Sequence, residues 1–348
     1  MSTDEKKTPQ RAPRPKVDLP GSKRGRVEAV EQLIYEAPLL EKPTSVWKTA
    51  WQRLRRRRTG VAGMIIIGFW ILIAIFAPVL ATHDPENSLI GEEENAIRRS
   101  GPCVYAFGCP EFVVENPGDE PEFQPQHIMG LDGNARDVYS RIVFGSRLSL
   151  TIGLTTVTAA VLVGVLLGSI SGFWGGWIDN VIMRLMDVVL GFPSLLLAIV
   201  IVAVLGPGLQ NAVLGIVIVT IPQYARVMRA SVLSIRELDF VSASRALGAS
   251  RMRILVRRIL PNALTPVVVL ATLGIASAIL EAAGLSFLGL GAQPPTPEWG
   301  TMLGEERNSI FSAPHLVFFP GVAIMITVLG FNLLGDGLRD ALDPQLNV

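Results

Sequence analysis

"VVLGFPSLLLAIVIVAVLGPGLQNAVLGIVIVTIPQYA" runs from Val188 to Ala225 without one charged residue. A hydrocarbon core of about 30 Å takes about twenty apolar residues in a helix. The run therefore holds two such helices, and the turn formers "LGPGLQN" at Leu205 to Asn211 divide them. The whole chain agrees with this reading, since 49% of its 348 residues are hydrophobic and only 18% are charged. An ordinary soluble domain carries charge on about a quarter of its residues. The expected fold class is an all-α, polytopic membrane protein.

Working outward, windows of sufficient length that are uncharged except near their ends place six spans at about 61–81, 148–172, 186–205, 209–228, 262–281 and 316–336. Pro193, Pro222, Pro266 and Pro320 fall within or near them, where neighbouring helices satisfy the freed carbonyls, so kinks are expected rather than breaks. The first span lies too far along the chain, and is too long, for a cleaved signal peptide, so it is expected to remain as an anchor. Residues 1–43, rich in Pro, Lys, Arg and Glu, read as a disordered tail. Residues 44–58 place Trp47, Trp51 and Leu54 on one helical face and basic residues on the others, the pattern of an amphipathic helix lying on a membrane surface and touching lipid. A solvated basic tail is the alternative. The membrane domain is expected over 59–340.

Arginine distribution orients the spans. Arg55 to Arg58 precede the first, and the segment 230–261 with its approach holds Arg226, Arg229, Arg236, Arg245, Arg251, Arg253, Arg257 and Arg258. Both regions are expected to be cytoplasmic, as are both termini. The segment 82–146 is acidic and is expected outside. There Cys103 and Cys109, six positions apart, either close a small disulfide loop or stand as free thiols. With no histidine beside them they make a poor zinc site, and of the three histidines, His83, His127 and His315, none falls in mid-span. No metal site is assigned.

Several function classes lack their residues. There is no G-x-x-x-x-G-K-[ST] phosphate loop, no H-E-x-x-H, no G-x-S-x-G around Ser286 and no carboxylate pair within one span. No catalytic residue and no cofactor of the chain's own is expected, nor a nucleic-acid partner. An ion-coupled carrier needs ionisable groups inside the bundle, whereas Asp179, Arg184, Asp187 and Glu281 lie at expected span ends.

The informative cytoplasmic stretch is "LDFVSASRALGASRMRILVRRILPN", Leu238 to Asn262. Ser242, Ala243, Ser244, Ala246, Gly248 and Ala249 are small, interrupted by Arg245, and Gly248 can take a positive φ that ends a short helix. A second helix, Arg251 to Leu260, then runs to Pro261, whose missing amide hydrogen suits a first helical turn. Two short helices in an elbow would offer a partner a close approach. An arginine-rich loop that merely follows the positive-inside tendency is the other reading.

These residues resemble the E-A-A-x-x-x-G loop of ABC importer permeases, which continues nine residues later as I-x-L-P. Here it reads Ser242-Ala243-Ser244, then Gly248, then Arg258-Ile259-Leu260-Pro261. Ser242 stands for the glutamate, Ser244 for the second alanine and Arg258 for the isoleucine. "HIMGLDGNARDVYSRIVFGSRLSL", His127 to Leu150, is similar to a stretch of the dipeptide/oligopeptide/nickel permeases. Asp132, Arg136, Asp137, Ser140, Arg141, Gly145, Arg147 and Ser149 match it; Leu131 and Ala135 depart. "GLSFLGLGAQPPTPEWG", Gly284 to Gly300, resembles the connection between the last two spans of the same family's C-type subunit.

The resemblance implies a type I ABC importer permease in the inner membrane of a prokaryote, moving di- or oligopeptides, with nickel or glutathione as alternatives. It implies a heterodimer with a second permease subunit, two ATP-binding subunits that carry Mg-ATP, and an extracytoplasmic solute-binding protein. The elbow, with Arg251 and Pro261 at its far side, would dock on the ATPase. Asp132, Arg136, Asp137, Pro294, Pro295 and Trp299 are candidates for an outer gate or docking surface, Trp299 suiting the membrane interface. A structural return loop is the competing reading of that run. An ion-coupled secondary carrier, or a membrane enzyme or scaffold, is the reading from another class.

Overall fold

The computed structural model describes residues 51–93, 96–104, 106, 109 and 125–342. The tail 1–43, Trp47 and the acidic stretch 110–124 fall outside the described residues. Among the described residues from Arg58 onward, ten α-helices carry the fold: α1 (Arg58–Leu80), α2 (Val138–Trp174), α3 (Gly176–Leu190), α4 (Ser194–Leu205), α5 (Leu209–Arg236), α6 (Asp239–Ala246), α7 (Arg251–Ile254), α8 (Leu260–Phe287), α9 (Trp299–Glu305) and α10 (His315–Leu342). A π-helical turn, Leu255–Ile259, joins α7 to α8. Among the described residues five segments are long and apolar enough to cross a membrane, α1, α2, α5, the continuous path Arg251–Phe287 and α10, and the bent pair α3 and α4 makes a sixth if counted as one span.

The bundle closes through small residues. Lipid tails are as apolar as leucine, so helices in a membrane associate by close van der Waals approach. On α2, Gly164, Gly168 and Gly172 form a stripe against α5. A Cβ at Gly164 would come 2.6 Å from Tyr224 Cβ, and one at Gly172 would come 2.9 Å from the Arg229 carbonyl oxygen. α1 crosses α10 the same way, where a Cβ at Gly63 would come 2.5 Å from the Leu334 nitrogen. α8 packs against α2, α5 and α10. Buried Tyr224, Met228, Val232, Ile254, Ile259 and Val267 make a core that extends from the spans into the elbow.

Four expectations change. The span expected at 186–205 is broken: α3 and α4 meet at 89°. Pro193 cannot donate to the helical ladder and steers Phe192 away from helical ψ, and Gly191 precedes them both. α4 has 12 residues, about 18 Å of helix and short of a full bilayer core. Pro222, Pro266 and Pro320 do sit inside continuous helices.

The second span starts at Val138 rather than 148, because Asp137 caps it by accepting from the Ser140 amide. The elbow's second helix does not end at Pro261. It passes through the π turn, whose Leu260 N–H reaches the Leu255 carbonyl, straight into α8. The wider turn accommodates the proline's missing donor and its ring. At the start of the chain, residues 51–54 are helical, but Leu54 is buried while Trp51 is exposed beneath the Arg55 guanidinium at 4.7 Å. The two therefore do not share one lipid-facing stripe.

Candidate functional site

At one end of the bundle α6 stands clear of the spans. Its only buried side chain is Val241, which packs with Val232 and Ile254 in the core and fixes the helix to α5 and α7. Every residue from Ser242 to Gly248 except Ser244 is exposed. α6 ends in a Schellman motif: the Gly248 N–H donates to the Arg245 carbonyl at 3.0 Å and the Ala249 N–H to the Ser244 carbonyl at 3.2 Å. Gly248 has φ +78°, and a Cβ there would meet nothing within 4 Å. The glycine is thus required by backbone conformation and not by crowding.

Clefts flank α6. One is lined by Phe173, Trp174, Arg236, Ser242, Arg245 and Arg251. The other lies between Ser244 and Leu247 and the arginines Arg253, Arg257 and Arg258, with Pro261 at its edge. Leu247 is 88% exposed beside them. α6 is thus a small-residue helix between two arginine-lined clefts, with an exposed leucine at its tip. Of the residues expected in the elbow, Ser242 to Ala246, Gly248 and Ala249 lie on or directly after α6, Arg251 opens α7 and Pro261 lies in the first turn of α8.

The adjoining anchor was not legible in the sequence. Asp179, in the first turn of α3, takes a two-pronged ion pair from Arg229 of α5, with both contacts at 2.6 Å. Ser171 Oγ donates to the same carboxylate, and Arg236 reaches the Gly172 carbonyl at 3.0 Å. α3 is in this way tied to the helices that carry the elbow.

At the opposite end of the bundle the outer candidates gather around α9. Glu298 caps α9 through the Gly300 and Thr301 amides, at 3.0 and 2.8 Å. Trp299 is fully buried; its indole N–H donates to the Ile142 carbonyl at 3.1 Å, and its ring meets Trp70 edge-on at 5.0 Å. The expectation that Trp299 sits at the membrane interface is corrected: α9 folds the run back under α2.

Arg136 pairs with Asp132 at 2.7 Å and with Glu305 at 2.9 Å. Arg141, wholly buried, pairs with Glu305 at 3.3 Å and donates to the Pro85 and Pro295 carbonyls at 2.9 and 3.1 Å. Burial works against charge on Arg136, but the Asp132 and Glu305 carboxylates outweigh it and raise its pKa. Burial likewise works against charge on Asp137, yet hydrogen bonds from His127 and Ser140 hold its carboxyl below the ordinary value. Asp132, Arg136, Asp137 and Trp299 are therefore braces inside the protein. Only Pro294 and Pro295 of the six candidates are exposed as a docking surface requires.

Arg141 was noted only as a match to the family stretch, and Glu305 and Glu306 were missed, since Glu306 meets Arg99 and the Gly133 amide from far along the chain. Glu281 lies within α8 and accepts from Ser194 of α4 at 3.3 Å, not at a span end. Cys103 and Cys109 form a disulfide with Cα atoms 4.9 Å apart. No metal site was assigned from the sequence; in the fold His83 and His127 converge on Glu93.

With this geometry in place, the known proteins narrow the reading. Residues 164–348 match the family described as binding-protein-dependent transport system inner membrane component. Residues 45–99 match the N-terminal TM domain of oligopeptide transport permease C. The dipeptide transport system permease protein of Alkalihalophilus pseudofirmus is 47% identical over 302 residues, covering 87% of this chain and 91% of that protein. The di/tripeptide transport system permease protein of Pseudomonas aeruginosa is 42% identical over 314 residues, covering 90% and 94%. The glutathione transport system permease protein of Escherichia coli O157:H7 is 42% identical over 318 residues, covering 90% and 97%. Among solved structures, a methionine ABC transporter in inward-facing conformations aligns with 58% of this chain and 96% of its own at 21% identity, with a TM-score of 0.48. The chain belongs to the binding-protein-dependent transport system inner membrane component family, as a multi-pass inner-membrane permease subunit of the oligopeptide permease C type.

Proposed function

We propose that this permease subunit imports di- and oligopeptides, driven by ATP hydrolysis on partner subunits. The observation that carries the reading is the exposed, Schellman-ended helix α6, rooted through Val241 and Ile254 in the core of the spans. A groove on an ATP-binding subunit that grips Ser242 to Ala249 displaces α5 and α8 with it, because α6 is bonded to both through short, well-packed connections. ATP binding then drives the change only as far as it favours one of the two states of the pathway. The chain supplies the lever and the path; Mg-ATP belongs to two partner subunits.

The elbow end is cytoplasmic in this reading, on the arginines that collect there, and both termini share that side. The α9 end faces outward, where a solute-binding protein delivers its load against exposed surface that includes Pro294 and Pro295. A second permease subunit completes the pathway. The exposed apolar faces of α3 and α4, with Trp177 at 77% and Val204 at 82% exposure, are available to it and to lipid. Peptides as substrate rest on the dipeptide and di/tripeptide relatives. Glutathione is the second reading, favoured by the relative of that name, and it is itself a small peptide.

The test is ATP hydrolysis by the complex that co-purifies with this chain, reconstituted with its solute-binding protein. Dipeptides, longer peptides, glutathione and chelated nickel are offered separately. Stimulation by peptides is the expected result. Stimulation by nickel alone overturns the substrate, and the absence of any co-purifying ATPase overturns the coupling reading.

A further inference from the structure

One cluster of titratable side chains lies outside the spans and apart from the elbow. His83 follows α1, Glu93 lies in the acidic segment, and His127 precedes α2. Glu93 stands between the two rings: its Oε1 is 2.8 Å from His83 Nε2 and its Oε2 is 3.1 Å from His127 Nε2. One ligand atom from each of the three lies within 4.8 Å of the other two.

The far nitrogen of each imidazole is also held. His83 Nδ1 is 2.9 Å from Thr82 Oγ1, and His127 Nδ1 is 3.1 Å from Asp137 Oδ1. Asp137 is itself fixed as the cap of α2, accepting from the Ser140 amide at 2.7 Å. Each ring is oriented by an oxygen on one side so that its Nε2 points at the shared centre. Metal-binding histidines have this construction: the outer nitrogen donates to a carboxylate or hydroxyl, and the inner one presents a lone pair.

His127, 1% exposed, sits between two carboxylates that can only accept. A neutral ring has one N–H and cannot satisfy both. An ion at the centre resolves this, taking the Nε2 lone pair and one Glu93 oxygen while Nδ1–H donates to Asp137.

We propose that His83, Glu93 and His127 bind one divalent transition-metal ion of the zinc class. Two imidazoles and a carboxylate suit zinc and its neighbours rather than magnesium or calcium, which take oxygen donors. Three protein ligands leave one position for water. His83 and Glu93 are partly exposed, which gives the ion a way in. The site lies outside the long apolar helices and clamps the segment between α1 and α2 to the ends of both helices. The disulfide loop joins the same clamp, since the Cys103 N–H donates to the His127 carbonyl at 2.8 Å.

The test uses the full-length chain with its co-purifying partners, carrying a tag without histidines, stripped with chelator and then titrated with zinc sulfate. Bound metal is counted by mass spectrometry, and cobalt(II) is substituted for its visible d–d absorption. One zinc per chain and the intense cobalt bands of a low-coordinate nitrogen and oxygen site are expected. His83→Ala and Glu93→Gln, at partly exposed positions, should each weaken binding about tenfold or more. Wild-type protein that shows no cobalt bands overturns the proposal whatever the variants do. So does zinc affinity unchanged in folded His83→Ala and Glu93→Gln; the cluster is then an imidazolium held between two carboxylates.

Discussion

Replacing Trp299 by alanine separates a buried brace from an interfacial anchor. The side chain is fully buried among Trp70, Ile142, Met302 and Leu316. Truncating such an aromatic costs about 3–5 kcal/mol, because the cavity collapses only partly. The lost indole N–H also strands the Ile142 carbonyl, worth about 1 kcal/mol. The two losses overlap, so about 4 kcal/mol is the working figure. At about 2 °C per kcal/mol for a chain of this size, thermal unfolding should shift down by about 8 °C.

Trp299→Phe keeps the apolar body and loses the hydrogen bond, so about 2 °C is expected. Gly145→Ala attacks the same packing from α2, since its Cβ would come 2.9 Å from the indole Cδ1; overpacking of this kind costs about 1–3 kcal/mol. The assay is size-exclusion recovery of the detergent-solubilised complex after graded heating. An alanine variant within about 2 °C of wild type, or a phenylalanine variant as damaged as alanine, would refute the packing argument.

Three further outcomes are expected. Gly164→Val should push α5 off α2, because even a Cβ comes 2.6 Å from Tyr224 Cβ; a destabilisation of about 1–3 kcal/mol and loss of uptake in vesicles would check it. Arg229→Lys should not replace the two-pronged contact with Asp179, weakening the α3 anchor by about 1–2 kcal/mol and raising protease cleavage near Gly175 and Gly176 several-fold. Thiol alkylation should label no cysteine before reduction and both Cys103 and Cys109 after it, since the two are bonded to each other; closing so short a loop contributes about 2 kcal/mol.

Much of this was readable from local pattern. Val188 to Ala225 announced a membrane protein because charge-free length is a one-dimensional property. The elbow was readable for the same reason: Gly248, the small residues before it and Pro261 lie in one short stretch, and each acts through its own backbone.

What hid was whatever depended on partners far along the chain. Hydropathy is blind to direction, so residues 186–205 looked like one span although the end of α3 and α4 meet within it at 89°. A tryptophan after prolines fits a bilayer interface equally well in sequence, and only the fold-back of α9 buries it. Arg136 and Glu305 are 169 positions apart, and Arg99 and Glu306 are 207 apart, distances at which charge pairing leaves no local mark. His83, Glu93 and His127 were invisible as a set because three different segments supply them.

The most direct test of the coupling claim is ATP-driven peptide uptake by proteoliposomes containing the reconstituted complex, with wild-type chain or Ala243→Glu. Ala243 is exposed on α6 and is not a member of the core cluster beneath it among the described residues, so the variant should fold and insert normally. Its new carboxylate would enter the groove of the ATP-binding subunit. The account predicts normal unfolding behaviour with uptake reduced about tenfold or more; a folded variant with full uptake would contradict it.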